Sequence, residues 1–410
     1  MPPKPPTSKL KLSLPLAARP RAASTSTSSY AHLTATLPRR HLPLLYDYLT
    51  PQPSHLLNVT LSSFLPKHAI PAILPSVTSE LPLPPSHHLV YFPPPTPIPL
   101  LLPDGTDPQL SPGKPFTRRM WAGGHMYFPS PPMLLDGSRA VCAERITDVK
   151  IRGSAGNEKI FVSVERRMSN VLEGEDEEGI MERVWGIEGE EEAEDGAGVE
   201  ELWGNGGGVQ VVERREMVFM RGRSEEELDK AREEAMAGNR KPGKIIKAPH
   251  PPTYVHTLVP TQPLLFRYSA LTMNAHQIHL SPLYSLHHEA HPSLLVHGPL
   301  SLTLMLSVLS AHLSSLHPDS ASRPAIREVS YRNIAPMYCG EELRVCVREK
   351  EGDNGNGNGD RCGGAWEIWC EGADGGVKVK GRARVGMPGE EERWGWGFWD
   401  DIGELRGGEI

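Results

Sequence analysis

Two regions of the chain alternate apolar and polar residues in the way that β-strands do. The first region begins near Pro115 and reads FTRRMWAGGHMYF, then SRAVCAERITDVKIR and KIFVSVERRM, with glycine, proline and aspartate at the breaks. Such segments are typical of antiparallel strands with one face against a core. The pattern returns at VQVVERREMVFMR, so we predict that this segment pairs with the preceding strand across a long insertion.

The second half predicts a different order of elements. The segment LLFRYSALTMNAHQIHLSPLYSLHHE predicts a short helix, a polar loop and a second short helix. The segment LLVHGPLSLTLMLSVLSAHLSSL is apolar on nearly every side over several turns, which is typical of a buried helix. Strand-like segments follow at AIREVSYRNIAP, ELRVCVREK, AWEIWCEGA and GVKVKGRARVG. An antiparallel sheet that wraps a buried helix is an α+β arrangement.

Segments of low apolar content divide these regions. Residues from about 173 to 208 contain EGEDEEG and EGEEEAEDGAGVEE, which bury too little apolar surface to fold, so we predict a disordered acidic insertion. A capping box of Ser224 and Glu227 predicts a short linker helix. The predicted organisation is a presequence (1–40), an N-terminal unit (41–222), a linker of helix and loop (223–250), a C-terminal catalytic unit (251–388) and a tail (389–410).

The N-terminal segment has the composition of a targeting sequence. From Met1 to Tyr46 there is no aspartate or glutamate, whereas lysine, arginine, serine, threonine and alanine are frequent. This composition is typical of a mitochondrial presequence, so we expect residues 1–40 to be disordered and the protein to be located in the mitochondrial matrix. The alternative is a basic tail without a targeting role, because the prolines of MPPKPPTSK weaken an amphipathic helix.

Composition and charge exclude several classes of protein. A net charge of −7 and a pI near 6.2 argue against a nucleic-acid-binding protein, which would carry a basic field. The 5 cysteines form no C-x-x-C pair and are odd in number, so the sequence predicts neither a zinc site nor a complete disulfide framework. No window approaches 18 consecutive apolar residues without charge or proline, so we predict no membrane-spanning helix.

The segment YSALTMNAHQIH carries the candidate chemistry. It resembles the hydratase motif of the MaoC-like R-specific enoyl-thioester hydratases, in which an acid and a histidine are separated by four residues before the central helix. Asn274 and His279 keep this spacing, with an amide in the place of the acid. The amide is similar to the branch of fungal mitochondrial 3-hydroxyacyl-thioester dehydratases type 2 and mesaconyl-C4-CoA hydratases. The strings RRMWAGG, LVHGPL and YRNIAPMYCGEEL resemble the same branch.

The resemblance implies a fold and an activity. It implies a double hot-dog fold, in which each unit is an antiparallel sheet wrapped around a central helix, with the active site between the two units. The implied reaction is dehydration of (3R)-3-hydroxyacyl thioesters to trans-2-enoyl thioesters, or the reverse hydration, in mitochondrial type II fatty acid synthesis. The thioester would be carried on coenzyme A or on the phosphopantetheine of acyl carrier protein.

Three alternatives stay open. The first is a mesaconyl-C4-CoA hydratase of itaconate degradation, which would need a cation for the free carboxylate of its substrate; Arg118, Arg119 and Arg267 are candidates. The second is a thioesterase on the same fold, which the amide at Asn274 disfavours. The third is a non-catalytic acyl-thioester binding module, if the amide has disabled the site.

Dehydration beside a thioester requires a base for the α-proton, a proton for the leaving hydroxyl and donors for the thioester oxygen. We predict that His279 is the base and, as the single titratable group of the motif, also the acid of a syn elimination. Asn274 is not a base, but its amide can hold the hydroxyl or the attacking water. Gly298 would begin the buried helix and offer its N–H to the thioester oxygen, with His297 positioning this turn.

The remaining candidates each have a structural alternative. His276 either lines the site or, with the other histidines of this region, is solvated or structural. Arg118, Arg119 and Trp121 either border the acyl or phosphopantetheine tunnel or form a strand and turn. We predict no metal site, because no histidine pair has a carboxylate at ligand spacing. Elimination of water is acid–base chemistry, so we expect no redox or metal cofactor, an acyl thioester and acyl carrier protein as partners, and a monomer or homodimer.

Overall fold

The computed structural model describes residues 29–66, 73–186, 208–236, 245–318, 323–350 and 364–386. The α-helices are α1 (Leu33–Thr36), α2 (Pro51–Leu61), α3 (Glu177–Trp185), α4 (Glu225–Met236), α5 (Gln262–Leu271), α6 (Pro282–Glu289) and α7 (Gly298–Leu316). The strands are β1 (Leu45–Tyr48), β2 (Arg118–Tyr127), β3 (Arg139–Arg152), β4 (Lys159–Asn170), β5 (Val209–Met220), β6 (Tyr254–Leu258), β7 (Ala325–Asn333), β8 (Leu343–Glu349), β9 (Ala365–Gly372) and β10 (Val377–Gly386).

These strands form one antiparallel sheet in the order β1-β3-β4-β5-β2-β7-β10-β9-β8-β6. Each half of the chain therefore contributes five neighbouring strands, and β2 pairs with β7 where the halves meet, with His125 opposite Ser330. The predicted pairing of β4 with β5 across the insertion is confirmed, with Lys159 opposite Met220. The α+β class is confirmed as well.

Helix α7 is the core of the second half. Its side chains are buried on nearly all sides, as the sequence predicts, and it packs against β2, β7, β8 and β9. Burial of each large apolar side chain contributes about 1.5–3 kcal/mol, so this helix is a main source of stability. Over the described residues, α7 is the one helix that is long and apolar enough to cross a membrane, but it is enclosed by the sheet. This is the hot-dog arrangement.

The first half differs, because none of its described helices crosses the sheet as α7 does. One end of the inner face of its sheet packs against α2 and residues 83–92. The other end packs against α1 and Phe116. Between them, Arg166, Glu213 and Arg215 form a buried ionic cluster, and Arg166 and Arg215 border a cavity. The first half thus has a cavity where the second half has a helix.

The acidic region is ordered at its beginning. Residues Glu177–Trp185 form α3, which Asp176 caps by accepting a hydrogen bond of 2.9 Å from the Gly179 N–H. Ile180 and Val184, four residues apart, are buried on the sheet. The prediction of disorder is therefore wrong for residues 173–186, because the average composition concealed one apolar face of a helix. Residues 187–207 lie outside the described part of the chain.

The end of the predicted presequence also belongs to the fold. Leu33 and Leu37 are buried against β3 and β4, and the Arg40 guanidinium donates to the carbonyl oxygens of Gln109 and Ser111. The prediction that residues 1–40 are disordered is therefore wrong for residues 29–40. The serine-rich composition concealed two leucines at helical spacing. Residues 1–28 lie outside the described residues.

The linker helix is confirmed in detail. Ser224 Oγ accepts from the Glu227 N–H at 3.2 Å, and Glu227 Oε2 accepts from the Ser224 N–H at 2.9 Å, which is the predicted capping box. Helix α4 packs against α6, where Arg232 Nη1 lies 3.1 Å from His287 Nδ1. The division of the chain into two units at this linker stays a prediction, and the tail 389–410 lies outside the described residues.

Candidate active site

A cavity of about 780 Å³ lies between the two halves of the chain. The first half lines it with residues of the 89–110 segment and the start of β2, and the second half with residues from 266 to 299 and from 333 to 337. Seven of the eight predicted site residues border this cavity: His279, Asn274, Gly298, His276, Arg118, Arg119 and Trp121. The structure therefore brings together residues that are up to 180 positions apart in the sequence.

His279 lies on a 3₁₀ turn, Gln277–His279, between α5 and α6, and its side chain is buried. Its Nδ1 lies 2.9 Å from the carbonyl oxygen of Leu295. Because a carbonyl only accepts, Nδ1 carries the proton and Nε2 presents a lone pair. Burial lowers the pKa of His279 to about 4, against the opposing effect of the Leu295 carbonyl. His279 is therefore a neutral imidazole that can accept a proton at Nε2.

The ring of His297 packs against the ring of His279. The two imidazole rings are stacked, with centroids 3.7 Å apart and an interplanar angle of 22°. The Nε2 atom of His297 lies 2.9 Å from Ser269 Oγ, and the residue precedes α7. His297 does not border the cavity, so its predicted role in positioning the turn stays a prediction. The turn into α7 directs its ring beneath His279, where its effect on substrate is indirect.

Asn274 is held by the backbone of the same loop. Its Oδ1 accepts from the His276 N–H at 3.1 Å, and its own N–H donates to the Ser269 carbonyl at 2.9 Å. Among the described residues, its side-chain NH₂ has no hydrogen-bond partner. The NH₂ group of the amide is therefore available as a donor to a molecule in the cavity.

Gly298 begins α7 at the edge of the cavity. A Cβ at this position would lie 3.0 Å from Asn333 Nδ2 and 3.3 Å from Trp121 Cβ, so a larger residue would force its neighbours apart. The first N–H groups of a helix have no partner within the helix and carry partial positive charge. The Gly298 N–H is thus accessible to an oxygen that acquires negative charge.

The two arginines at the start of β2 are both engaged. Arg118 Nε donates to Glu289 Oε2 at 2.7 Å. Arg119 Nη1 donates to the Asp107 carbonyl oxygen at 3.1 Å. Burial lowers the pKa of Arg119, while the charges of Asp104 and Asp107 oppose this effect. Both side chains border the cavity, but each is already held by partners of the protein.

The ionic cluster beside Trp121 was not predicted from the sequence. The indole N–H donates to Tyr331 Oη at 2.6 Å, and the Arg215 guanidinium lies 4.7 Å from the centroid of the indole ring. Arg215 and Arg166 both pair with Glu213, which is fully buried and does not border the cavity. The one available signal was the alternation of side chains along β4 and β5, which places these charged residues on the same face of the sheet as the buried apolar ones.

Asp104 is a further residue beside the cavity that no sequence motif indicates. His276 borders the cavity with its ring edge-on to that of His279, at 5.6 Å between centroids. On its other side, His276 Nε2 lies 3.7 Å from Asp104 Oδ2. Burial lowers the pKa of His276 well below its usual value, and the charges of His279, Arg119 and His291 lower it further. The DGT turn indicates a loop at this position, but nothing in the sequence connects it to the motif.

The arrangement is suited to proton transfer beside a carbonyl group. Two neutral imidazoles, an amide donor and a helix N-terminus border one cavity that apolar side chains also line. Such groups can accept a proton, hold a water molecule and stabilise a developing oxyanion. In the described part of the chain, no group of three or more histidine, cysteine, aspartate or glutamate side chains could hold a metal ion.

Comparison with known proteins gives consistent results. The model of the family described as hydroxyacyl-thioester dehydratase type 2 matches residues 86–186 and 190–339. A mesaconyl-C(4)-CoA hydratase from Chloroflexus aurantiacus is 28% identical over 319 residues, which are 75% of this chain and 86% of the relative. A mitochondrial hydroxyacyl-thioester dehydratase type 2 from Schizosaccharomyces pombe is 25% identical over 311 residues, which are 75% of this chain and 90% of the relative.

Among solved structures, a MaoC-like dehydratase from Phytophthora capsici aligns with a TM-score of 0.49 at 10% identity, over 87% of this chain and 99% of that chain. The family match extends over both halves of the cavity and includes the loop from Asn274 to His279. Because this match covers more than half of the chain, the protein belongs to the hydroxyacyl-thioester dehydratase type 2 family of hydro-lyases, with the hot-dog fold that its motif implies.

Proposed function

We propose that the protein interconverts (3R)-3-hydroxyacyl and trans-2-enoyl thioesters in mitochondrial type II fatty acid synthesis, with His279 and Asn274 as its catalytic residues. The observation that carries this proposal is the shared cavity of the His279 Nε2 lone pair, the Asn274 NH₂ group and the Gly298 N–H. The elimination requires a group that moves the proton, a group that holds the leaving hydroxyl and a donor for the thioester oxygen. His279, Asn274 and Gly298 supply these functions in that order.

The proposed dehydration proceeds as follows. The thioester oxygen accepts a hydrogen bond from the Gly298 N–H, which acidifies the α-carbon. His279 Nε2 takes the α-proton, the C–H electron pair forms the double bond, and the C–O bond breaks. The His279 imidazolium then gives its proton to the departing hydroxyl, whose oxygen Asn274 holds, and water leaves. The ring returns to its neutral form, because the proton taken from the α-carbon leaves with the hydroxyl as water. Both transfers take place on one face of the substrate.

The proposed location and carrier are inferred from one relative and from the composition of the N-terminal segment. The Schizosaccharomyces pombe relative is named as mitochondrial, and the first 46 residues of this chain are basic and free of acidic side chains. We therefore propose the mitochondrial matrix and an acyl carrier protein substrate, with no cofactor beyond the thioester carrier. Because both halves of one chain line the cavity, a monomer could form the complete site, although a homodimer is also compatible with it.

A second candidate is the hydration of a mesaconyl-C4 thioester, as the name of the Chloroflexus aurantiacus relative indicates for that protein. The observation in its favour is that Arg166 and Arg215 border the cavity, whereas their partners Glu213 and Glu144 do not. Guanidinium groups in this position suit a substrate whose acyl group ends in a carboxylate.

The test measures the hydration of crotonyl-CoA and of mesaconyl-C4-CoA. The reaction is monitored through the ultraviolet absorbance of the enoyl thioester. The purified full-length protein is compared with His279→Ala and with His256→Ala as a matched control. His256 contacts the Phe64 carbonyl at 2.9 Å and does not border the cavity. We expect the control to keep its rate and His279→Ala to lose at least about 10²-fold in kcat.

Each outcome has a defined meaning. A preference for crotonyl-CoA supports lipid synthesis, and a preference for mesaconyl-C4-CoA supports the second candidate. Release of free thiol would identify a thioesterase instead. A fully active His279→Ala variant would remove His279 from the mechanism, and binding of both thioesters without turnover would identify a non-catalytic module.

A further inference from the structure

The contact between the 102–106 loop of the first half and the motif loop of the second half is not used by the mechanism above. The Asp104 carbonyl accepts from the Gln277 N–H at 2.8 Å, which fixes the loop beside the 3₁₀ turn of His279. The Asp104 side chain is buried, with Oδ1 accepting from the Thr106 N–H at 3.0 Å and from Thr106 Oγ1 at 2.5 Å. Oδ2 is then directed toward His276 Nε2.

This geometry favours one tautomer of His276. The 3.7 Å contact is longer than a hydrogen bond, but the negative carboxylate favours the proton on Nε2, the nitrogen that faces it, which leaves the lone pair on Nδ1. The lowered pKa of the ring is consistent with this neutral form. Among the described residues, the ring of His276 has no hydrogen-bond partner, and its ion-pair contact is with the Asp104 carboxylate at 3.7 Å.

Two neutral imidazoles therefore stand edge-on beside the same cavity, with ring centroids 5.6 Å apart. A water molecule that donates both protons bridges two acceptors about 4.5 Å apart, because each O–H···N bond is about 2.8 Å long and the two bonds diverge by about 105°. Each ring nitrogen lies about 1 Å from its centroid, so rings with centroids 5.6 Å apart can present nitrogens at this separation. A water has two protons and two lone pairs. If His279 and His276 accept the protons and the Asn274 NH₂ donates to one lone pair, the second lone pair is free to attack carbon.

We propose that His276, oriented by Asp104, is the second acceptor for the reacting water or 3-hydroxyl. This inference rests on the proposed hydro-lyase function. It also explains why an amide can stand at position 274: the histidine pair supplies both acceptors, so the motif needs a donor at 274 and not a carboxylate. Asp104 acts through His276 and is a positioning residue, whereas His276 contacts the substrate hydroxyl.

The atoms balance in the hydration direction. Water donates one hydrogen bond to His276 Nδ1 and one to His279 Nε2, and its free lone pair forms the C–O bond at the β-carbon. The double-bond electrons move to the α-carbon, which takes the proton that His279 removed from the water. The second proton of the water stays on the new hydroxyl, still bonded to His276, which gains and loses no proton.

The test compares crotonyl-CoA hydration by the full-length protein with that by Asp104→Asn, His276→Ala and the double variant. Because Thr106 holds the Oδ1 position, an asparagine would turn its NH₂ group toward His276 Nε2 and force the proton to Nδ1, the wrong tautomer. Asp176→Asn, at the cap of α3, is the matched control for the same exchange outside the cavity.

We expect each single variant to lose roughly 10²-fold in kcat with KM changed by less than about threefold. The double variant should lose no more than the worse single variant, since the two residues act as one unit. Added imidazole should restore part of the rate to His276→Ala but not to the double variant, because only Asp104 would select the useful tautomer. If Asp104 had only a structural role, the recovery of activity by imidazole would not depend on Asp104.

The inference is overturned if Asp104→Asn has the same kcat as the Asp176→Asn control. It is also overturned if the fold-losses in kcat of the two single variants multiply in the double variant, or if imidazole restores the same fraction of the rate to His276→Ala and to the double variant. His279→Ala separates this failure from that of the proposed function. A wild-type protein without any hydratase activity contradicts the function itself. An active wild-type protein with an inactive His279→Ala variant and an unaffected Asp104→Asn variant contradicts the inference alone.

Discussion

At the scale of the residue, the state of His279 is decided by burial. An exposed histidine titrates near pH 6.5, and a histidine that must accept a proton would be half inactive there. Burial lowers the pKa of His279 to about 4, although its Nδ1 keeps the bond to the Leu295 carbonyl. The ring is consequently a weak base in the ground state, but it is fully available as an acceptor at neutral pH.

This predicts the pH dependence of the reaction. We expect kcat/KM for crotonyl-CoA hydration to be constant from about pH 8 to pH 5 and to fall only near the pKa of about 4. The measurement uses short assays after a pH jump, with a return to neutral pH as a control for intact protein. A loss of activity centred near pH 6.5 would contradict a buried neutral base.

At the scale of the element, the 102–106 loop should be sensitive to a single methyl group. Gly105 has a φ of +84°, and a Cβ there would lie 2.1 Å from the Ala275 carbonyl oxygen of the motif loop. Gly113 has nearly the same φ of +85° with nothing within 4 Å. The two positions share the backbone cost of about 1–2 kcal/mol for a left-handed alanine.

We therefore predict that Gly105→Ala lowers kcat by at least about tenfold more than Gly113→Ala, because it moves the motif loop that holds Asn274 and His276. Both variants should lose a similar amount of stability from the backbone alone. Measured kcat and urea midpoints for the pair test this. Equal kcat values would mean that the loop contact does not position the site.

The beginning of the fold can be tested by truncation. A chain that starts at residue 29 keeps α1, whereas one that starts at residue 41 loses Leu33 and Leu37, which are 7% and 1% exposed. Each buried leucine contributes about 1.5–3 kcal/mol, so we expect the longer deletion to lower the unfolding free energy by several kcal/mol. Equal denaturation midpoints for the two chains would place the start of the folded domain after residue 40.

At the scale of the whole molecule, several histidines are buried in the neutral form. Burial lowers the pKa of His87 to about 3 and of His125 and His279 to about 4. In the unfolded chain these groups titrate near 6.5, so between about pH 6.5 and 4 the unfolded state binds more protons than the folded state. Stability must therefore fall as the pH decreases through this window.

We predict a lower urea midpoint at pH 5 than at pH 7.5, with about 2 kcal/mol lost for one fully buried histidine of this kind. His87→Gln, outside the proposed site, should reduce the difference between the two pH values, since one of the buried groups no longer titrates. An equal or higher midpoint at pH 5 would show that these histidines are already protonated in the folded state.

Local patterns were sufficient to predict most elements. The apolar character of α7, the alternation of β2 to β5 and of β7 to β10, and the Ser224–Glu227 capping box depend on neighbours close in sequence, and all are observed. Compositional averages were less reliable. They concealed the apolar faces of α1 and α3, because a few buried side chains per turn decide whether a polar segment docks on a sheet.

The sequence by itself determined the α+β elements, the family and the loop that carries Asn274, His276 and His279, because each depends on short-range spacing. Only the tertiary structure decided the surroundings of that loop. It placed Asp104 beside His276, stacked His297 under His279 and left a cavity where the first half has no central helix. The physical reason is that tautomer, burial and electrostatic environment are set by groups that the fold brings together from distant positions, and no local pattern encodes those contacts.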